Sequence, residues 1–216
     1  MKRLAIAALL LAAGTARAHY IWIEAPKSGP VVYFGEYDEK LHERSPGRLD
    51  DIRAPRAWNL AKGQRRELRV ERGGEGFKLL GARGRSIIVE ESAHAVRDWT
   101  QFGVGIVKPV FYARYAASAT LVQPTLTLDV VPVKEGFQAL AVHFRGQPLG
   151  RAKLEIYAPN GWKQEHRADE SGIVPLRLPW RGQYVVEVTH LEKGAGEHEG
   201  AKYEGVRHRA TLSFVK

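Results

Sequence analysis

The strongest constraint on this chain is the shortness of its regular apolar runs. Beyond residue 18, an apolar spacing of three and four never persists for more than a turn or two. Short segments rich in Val, Ile, Tyr and Phe recur instead between Gly, Pro and Asn. Such a chain is expected to be all-β. Strands are expected at Tyr20–Glu24, Val31–Tyr37, Glu67–Val70, Ser86–Glu91 and Lys108–Tyr115. They continue at Leu126–Val131, Ala139–Phe144, Lys153–Tyr157, Val174–Leu178, Gln183–His190 and His208–Val215. Arg48–Trp58 reads as a loop with at most one helical turn. Past Gln123-Pro124 the strands come at the even spacing of a small sandwich, which predicts two small β-sandwich domains, residues 19–124 and 125–216.

The first eighteen residues have a different character. Met1-Lys2-Arg3 is basic, Leu4–Ala13 is uninterruptedly apolar, and Ala16-Arg17-Ala18 puts small residues before a cleavage point. Ten apolar residues fall short of the roughly 20 that span a bilayer, so residues 1–18 are expected to be a cleaved signal peptide. The mature chain then begins at His19, is periplasmic or secreted, and has no transmembrane segment. Cleavage removes three basic residues and lowers the net charge from +9 to +6. The charges are scattered singly, and nucleic acid is not an expected partner of an exported chain. Cysteine is absent, so no disulfide holds the fold.

Between residues 145 and 190 the turns follow a recognisable order: Gly146-Gln147-Pro148-Leu149-Gly150-Arg151-Ala152, Pro159-Asn160-Gly161, Asp169-Glu170-Ser171-Gly172-Ile173-Val174, then Arg181-Gly182-Gln183-Tyr184-Val185-Val186-Glu187-Val188. This stretch resembles prealbumin-like and carboxypeptidase-regulatory-like sandwiches, which are Ig-like in architecture; the likeness bears on fold, not chemistry. The start His19-Tyr20-Ile21-Trp22-Ile23-Glu24, the middle Lys108-Pro109-Val110-Phe111-Tyr112-Ala113-Arg114, and Tyr184–His190 with Arg209-Ala210-Thr211-Leu212 extend the likeness. Over nearly all of residues 19–216 the chain resembles an exported bacterial family carrying the domain of unknown function 4198. Some members of that family are associated with periplasmic nickel or cobalt uptake. The resemblance implies export, β architecture and a link to metal.

The residues add a chemical reason. Cleavage before His19 creates an α-amine beside the imidazole Nδ1 of the same residue. Together these chelate one ion and, with a second imidazole, form a histidine brace suited to Cu(II) or Ni(II). The alternative is a terminal residue frayed in solvent. Strand phase supplies partners: His190 continues the face of Tyr184, Val186 and Val188, and His208 that of Ala210, Leu212 and Phe214. If these strands pair as a hairpin across residues 191–207, both imidazoles point inward near one rim; otherwise each is an edge histidine satisfied locally. The family resemblance favours His190, since a histidine after such a strand belongs to its pattern. His208 rests on geometry alone. Glu24 is of opposite phase to His19. His94, with Asp98 four residues on, reads as a polar strand end, and His42 and His198 as solvated surface. Trp22 and Trp99 read as core residues.

Enzyme signatures are missing: no His-Glu-x-x-His, no Gly-x-Ser-x-Gly, no phosphate-binding glycine loop and no cysteine nucleophile. The expectation is a non-enzymatic, exported metal-binding accessory. It holds a divalent ion, nickel or cobalt by resemblance and copper by ligand chemistry, through His19, His190 and His208. A metal-uptake transporter or another envelope protein is its expected partner. A metal-free sandwich module that binds an envelope protein or glycan is the rival, and a brace-type copper redox enzyme is a third reading.

Overall fold

A computed structural model describes residues 19–61, 64–82, 86–119 and 123–216; the expected signal peptide lies outside the described residues. The chain is almost entirely strand. In the first half these are β1 (Tyr20–Glu24), β2 (Val31–Glu36), β3 (Leu41–His42), β4 (Arg56–Ala61), β5 (Gln64–Arg72), β6 (Phe77–Leu80), β7 (Ser86–Glu91), β8 (Arg97–Asp98) and β9 (Ile106–Ala116). The second half adds β10 (Leu128–Pro132), β11 (Ala139–Phe144), β12 (Gln147–Pro148), β13 (Lys153–Tyr157), β14 (Lys163–Arg167), β15 (Ile173–Pro175), β16 (Gln183–His198) and β17 (Ala201–Val215). Three short 3-10 turns complete the elements, at Arg48–Asp51, Thr100–Phe102 and Glu135–Phe137. No helix among the described residues is long and apolar enough to cross a membrane.

The all-β expectation holds, and the strands are arranged in layers. The central layer runs β4-β7-β9-β17-β16-β13-β14. Its middle is a parallel pairing of β9 with β17, in register from Gly205 opposite Val107 to Phe214 opposite Ala116. Residues on either side of the Gln123-Pro124 boundary therefore share one sheet. Alternation along these strands gives the layer two buried faces. Val110, Tyr112, Val186, Val188, Ala210, Leu212 and Phe214 face the small sheet of β10, β11, β12 and β15 in one core. Ile87, Val89, Phe111 and Ala113 pack in a second core with Ile21, Ile23, Val32, Phe34 and Phe77 of β1, β2 and β6. Strand β5 links the layers, pairing with β4 along one part of its length and with β6 along another.

Six strands arise where the sequence pattern indicates none: β4, β6 and β14, and the two-residue β3, β8 and β12. The expected loop at Arg48–Trp58 is a 3-10 turn that leads into β4. Residues 191–207 are likewise no loop. Strands β16 and β17 continue as a ribbon to a two-residue turn at Glu199-Gly200, both left-handed at φ 52° and 79°, the turn that suits a hairpin's twist.

Candidate functional site

His19 stands at the head of β1 and is only 6 % exposed. In the β1–β2 register Tyr20 lies opposite Gly35, so one step further His19 faces Glu36. A second carboxylate arrives through a tight return of the chain. Gly35 has φ 146°, and a Cβ there would lie 2.0 Å from the Leu41 carbonyl oxygen, so only glycine lets β3 run this close. The Glu43 N–H then donates to the Phe34 carbonyl at 2.8 Å and fixes Glu43 beside the ring.

The imidazole is thus flanked by carboxylates at both nitrogens. Nε2 bonds Glu43 Oε1. A carboxylate only accepts, so Nε2 carries the proton, and in the neutral ring Nδ1 keeps a lone pair. Nδ1 lies 3.2 Å from Glu36 Oε1 without hydrogen-bond geometry, and both atoms are buried with no hydrogen-bond partner. Phe34 packs against the ring at 5.3 Å between centroids. The backbone is held as firmly: the His19 carbonyl accepts from Arg209 at 3.2 Å and that of Ile21 from Thr211 Oγ1 at 2.8 Å. These bonds engage two carbonyls of β1, the end strand of its sheet.

The expected trio is divided. His190 and His208 are direct cross-strand partners with ring centroids 6.5 Å apart, and both pack on Phe144. His19 is not with them. Adjacent residues of a strand point to opposite faces, and Arg209 reaches His19 from one face of β17 while His208 lies on the other with Tyr112. The central sheet stands between. Both nitrogens of His208 are already engaged, Nδ1 by Tyr112 at 3.0 Å and Nε2 by Glu192 at 3.1 Å. Burial holds the pKa of each imidazole below its usual value, with Glu192 opposing the shift. His208 reads as a satisfied core residue and His190 as its half-buried neighbour.

Sequence reasoning missed Glu36 and Glu43. The six residues between β1 and β2 do not fix a register by themselves, so the pairing of His19 with Glu36 was hidden. Its trace was phase alone: His19 shares a face with Ile21 and Ile23, and Glu36 with Phe34. Two readings of loop residues also change. His42 stacks on Tyr33 at 4.1 Å rather than standing in solvent, and His94 is buried against Phe111.

A cavity of about 260 Å³ opens beside His19, with His94, Trp99, Phe111 and Arg207 among its walls. Trp22 is fully buried as expected, whereas Trp99 is a cavity wall. Among the described residues no three His, Cys, Asp or Glu side chains are grouped to hold a metal ion. Searches of protein-family models, curated proteins and solved structures find no match to this chain.

Proposed function

We propose that the protein is an exported accessory in transition-metal acquisition or handling, and that it binds one divalent ion at His19. The ligands are the α-amine freed by signal cleavage, His19 Nδ1 and the Glu36 carboxylate. One observation carries the reading: Nδ1 and Glu36 Oε1 are buried, unpartnered and 3.2 Å apart. Two electron-pair donors so placed repel unless a proton or a cation sits between them, and metal-ligand bonds of about 2 Å let both reach one ion. Glu43 supports the assignment, because a ligating histidine commonly gives its other N–H to a carboxylate that fixes the tautomer. Only two side chains contribute, so the third ligand is the amine that cleavage supplies. A nitrogen and oxygen set suits Cu(II) or Ni(II). In this reading the bound ion is cargo to be passed to an envelope partner.

The test is calorimetric titration of exported protein that begins at His19 with Cu(II) and with Ni(II), beside the same protein carrying one extra residue before His19. One ion should bind per chain, with affinity at least a hundredfold lower in the extended form. Glu36→Gln and Glu43→Gln should each weaken binding roughly ten- to a hundredfold. Equal binding by the two forms would overturn the amine-and-His19 site, and no binding by either would refute the metal reading.

A further inference from the structure

The cavity beside His19 has walls of two kinds. Phe34, Trp99, Phe102 and Phe111 present rings, and Phe102, 51 % exposed, stands at the mouth. This rim is built rather than frayed: the Trp99 N–H donates to Gly105, the Phe102 N–H to Trp99, and Asp98 caps the Thr100 N–H at 2.9 Å. The remaining wall is cationic, with Arg48, Arg97, Arg207 and Arg209 against a single acid, Asp51.

Two of these four arginines are paired. Arg209 is held by Glu187 and the His19 carbonyl, and Arg97 pairs with Asp51 at 2.7 Å. Arg48 lies on the exposed rim. Arg207 differs: it is part-buried, its guanidinium stacks on Trp99 at 5.3 Å, and among the described residues it makes no ion pair or side-chain hydrogen bond. Its pKa is pulled down to about 10, first by burial and then by the charge of Arg209, with Glu187 opposing. A guanidinium matches a carboxylate with two parallel bonds, and the rings beside it offer a flat ligand an apolar surface.

We infer that this cavity binds a small aromatic carboxylate, its anionic group on Arg207 and its flat body among Trp99, Phe111 and Phe34. Of the two wall guanidiniums without an ion pair among the described residues, Arg48 is exposed to solvent and Arg207 is the part-buried one, beside the rings. The inference goes beyond the metal reading and does not need it, so its test is run in excess EDTA.

The probes are benzoate, indole-3-acetate and 2-naphthoate, titrated calorimetrically into the purified protein. Indole-3-acetamide serves as the neutral match and acetate as the anion without a ring. At least one aromatic carboxylate should bind saturably at one per chain, and both controls at least tenfold more weakly. Arg207→Gln should weaken that carboxylate at least tenfold and leave the amide unchanged, and Trp99→Ala should weaken both. The inference is overturned if none of the three carboxylates binds, or if indole-3-acetate and its amide bind alike. That comparison needs only the unaltered protein and decides the matter even if Arg207→Gln fails to fold.

Discussion

Lys108, in the middle layer, is 5 % exposed, and its amine donates to the carbonyls of Ser92 and His94 at 2.6 Å and Pro109 at 3.2 Å. It thereby pins the segment that carries His94 to the cavity. Burial lowers its pKa to about 8; Glu91 and Glu199 oppose that shift, and Arg53 adds to it. An unfolded lysine keeps its proton to about 10.4. Between these values the unfolded chain binds more protons, so stability rises with pH across that window, and below pH 8 the full cost of the buried charge is present. Urea midpoints of the wild-type protein should therefore climb from pH 7.5 to 9.5 relative to those of Lys108→Met. Parallel curves would show that the amine does not titrate there. Nothing in the sequence marks Lys108 as buried, because its three acceptors are backbone carbonyls, two of them supplied by a different segment. The burial of His19 was more legible, since its phase with Ile21 and Ile23 points it at the core.

Between elements, the tie that matters most is Arg114 of β9 with Asp129 of β10, buried to 0 % and 1 %. Nε and Nη2 grip the carboxylate at 2.9 and 2.5 Å, Nη2 also reaches Thr125 Oγ1, and Nη1 reaches Ser86 Oγ. Asp129 also accepts the N–H groups of Thr125 and Leu126, so it holds the chain where it leaves the central layer for the small sheet. Removing one member of such a pair strands the other charge in the core. Asp129→Ala should cost about 3–5 kcal/mol in urea unfolding, whereas Asp129→Leu combined with Arg114→Met should recover much of that loss. If the single variant costs less than about 1 kcal/mol, water reaches the site. The strands themselves were legible where both faces are apolar or alternate, as in β1, β7, β11 and β13, whose observed limits equal the expected ones. Strand β14, Lys163-Gln164-Glu165-His166-Arg167, was not: it carries no apolar residue and exists because its backbone completes the edge of β13.

At the scale of the molecule, the sequence suggested two consecutive sandwiches, and the structure joins them through one strand. The C-terminal β17 lies between β9 from the first half and β16 from the second. Its apolar face fills one core, while Arg209 and Thr211 on its other face hold β1. Parallel pairing between strands so distant in sequence leaves no short-range mark, since neither partner dictates the other locally. The arrangement carries a thermodynamic consequence. Neither half keeps a complete sheet without the other, and no disulfide substitutes for the missing contacts. Unfolding should therefore be one cooperative transition, despite a length that permits two domains. The tryptophans allow a direct check, because Trp22, Trp58 and Trp99 report on the first half and Trp162 and Trp180 on the second. Two variants, each keeping the tryptophans of one half and replacing the others by Phe, should each show fluorescence and far-ultraviolet circular dichroism transitions at a single common urea midpoint. Residues 125–216 alone should show no such transition, because β17 would expose the face that holds β1 and the edge that pairs with β9. Fluorescence and dichroism midpoints that part within either variant, or a cooperatively folded 125–216 fragment, would mean that the shared sheet joins two units that are stable on their own.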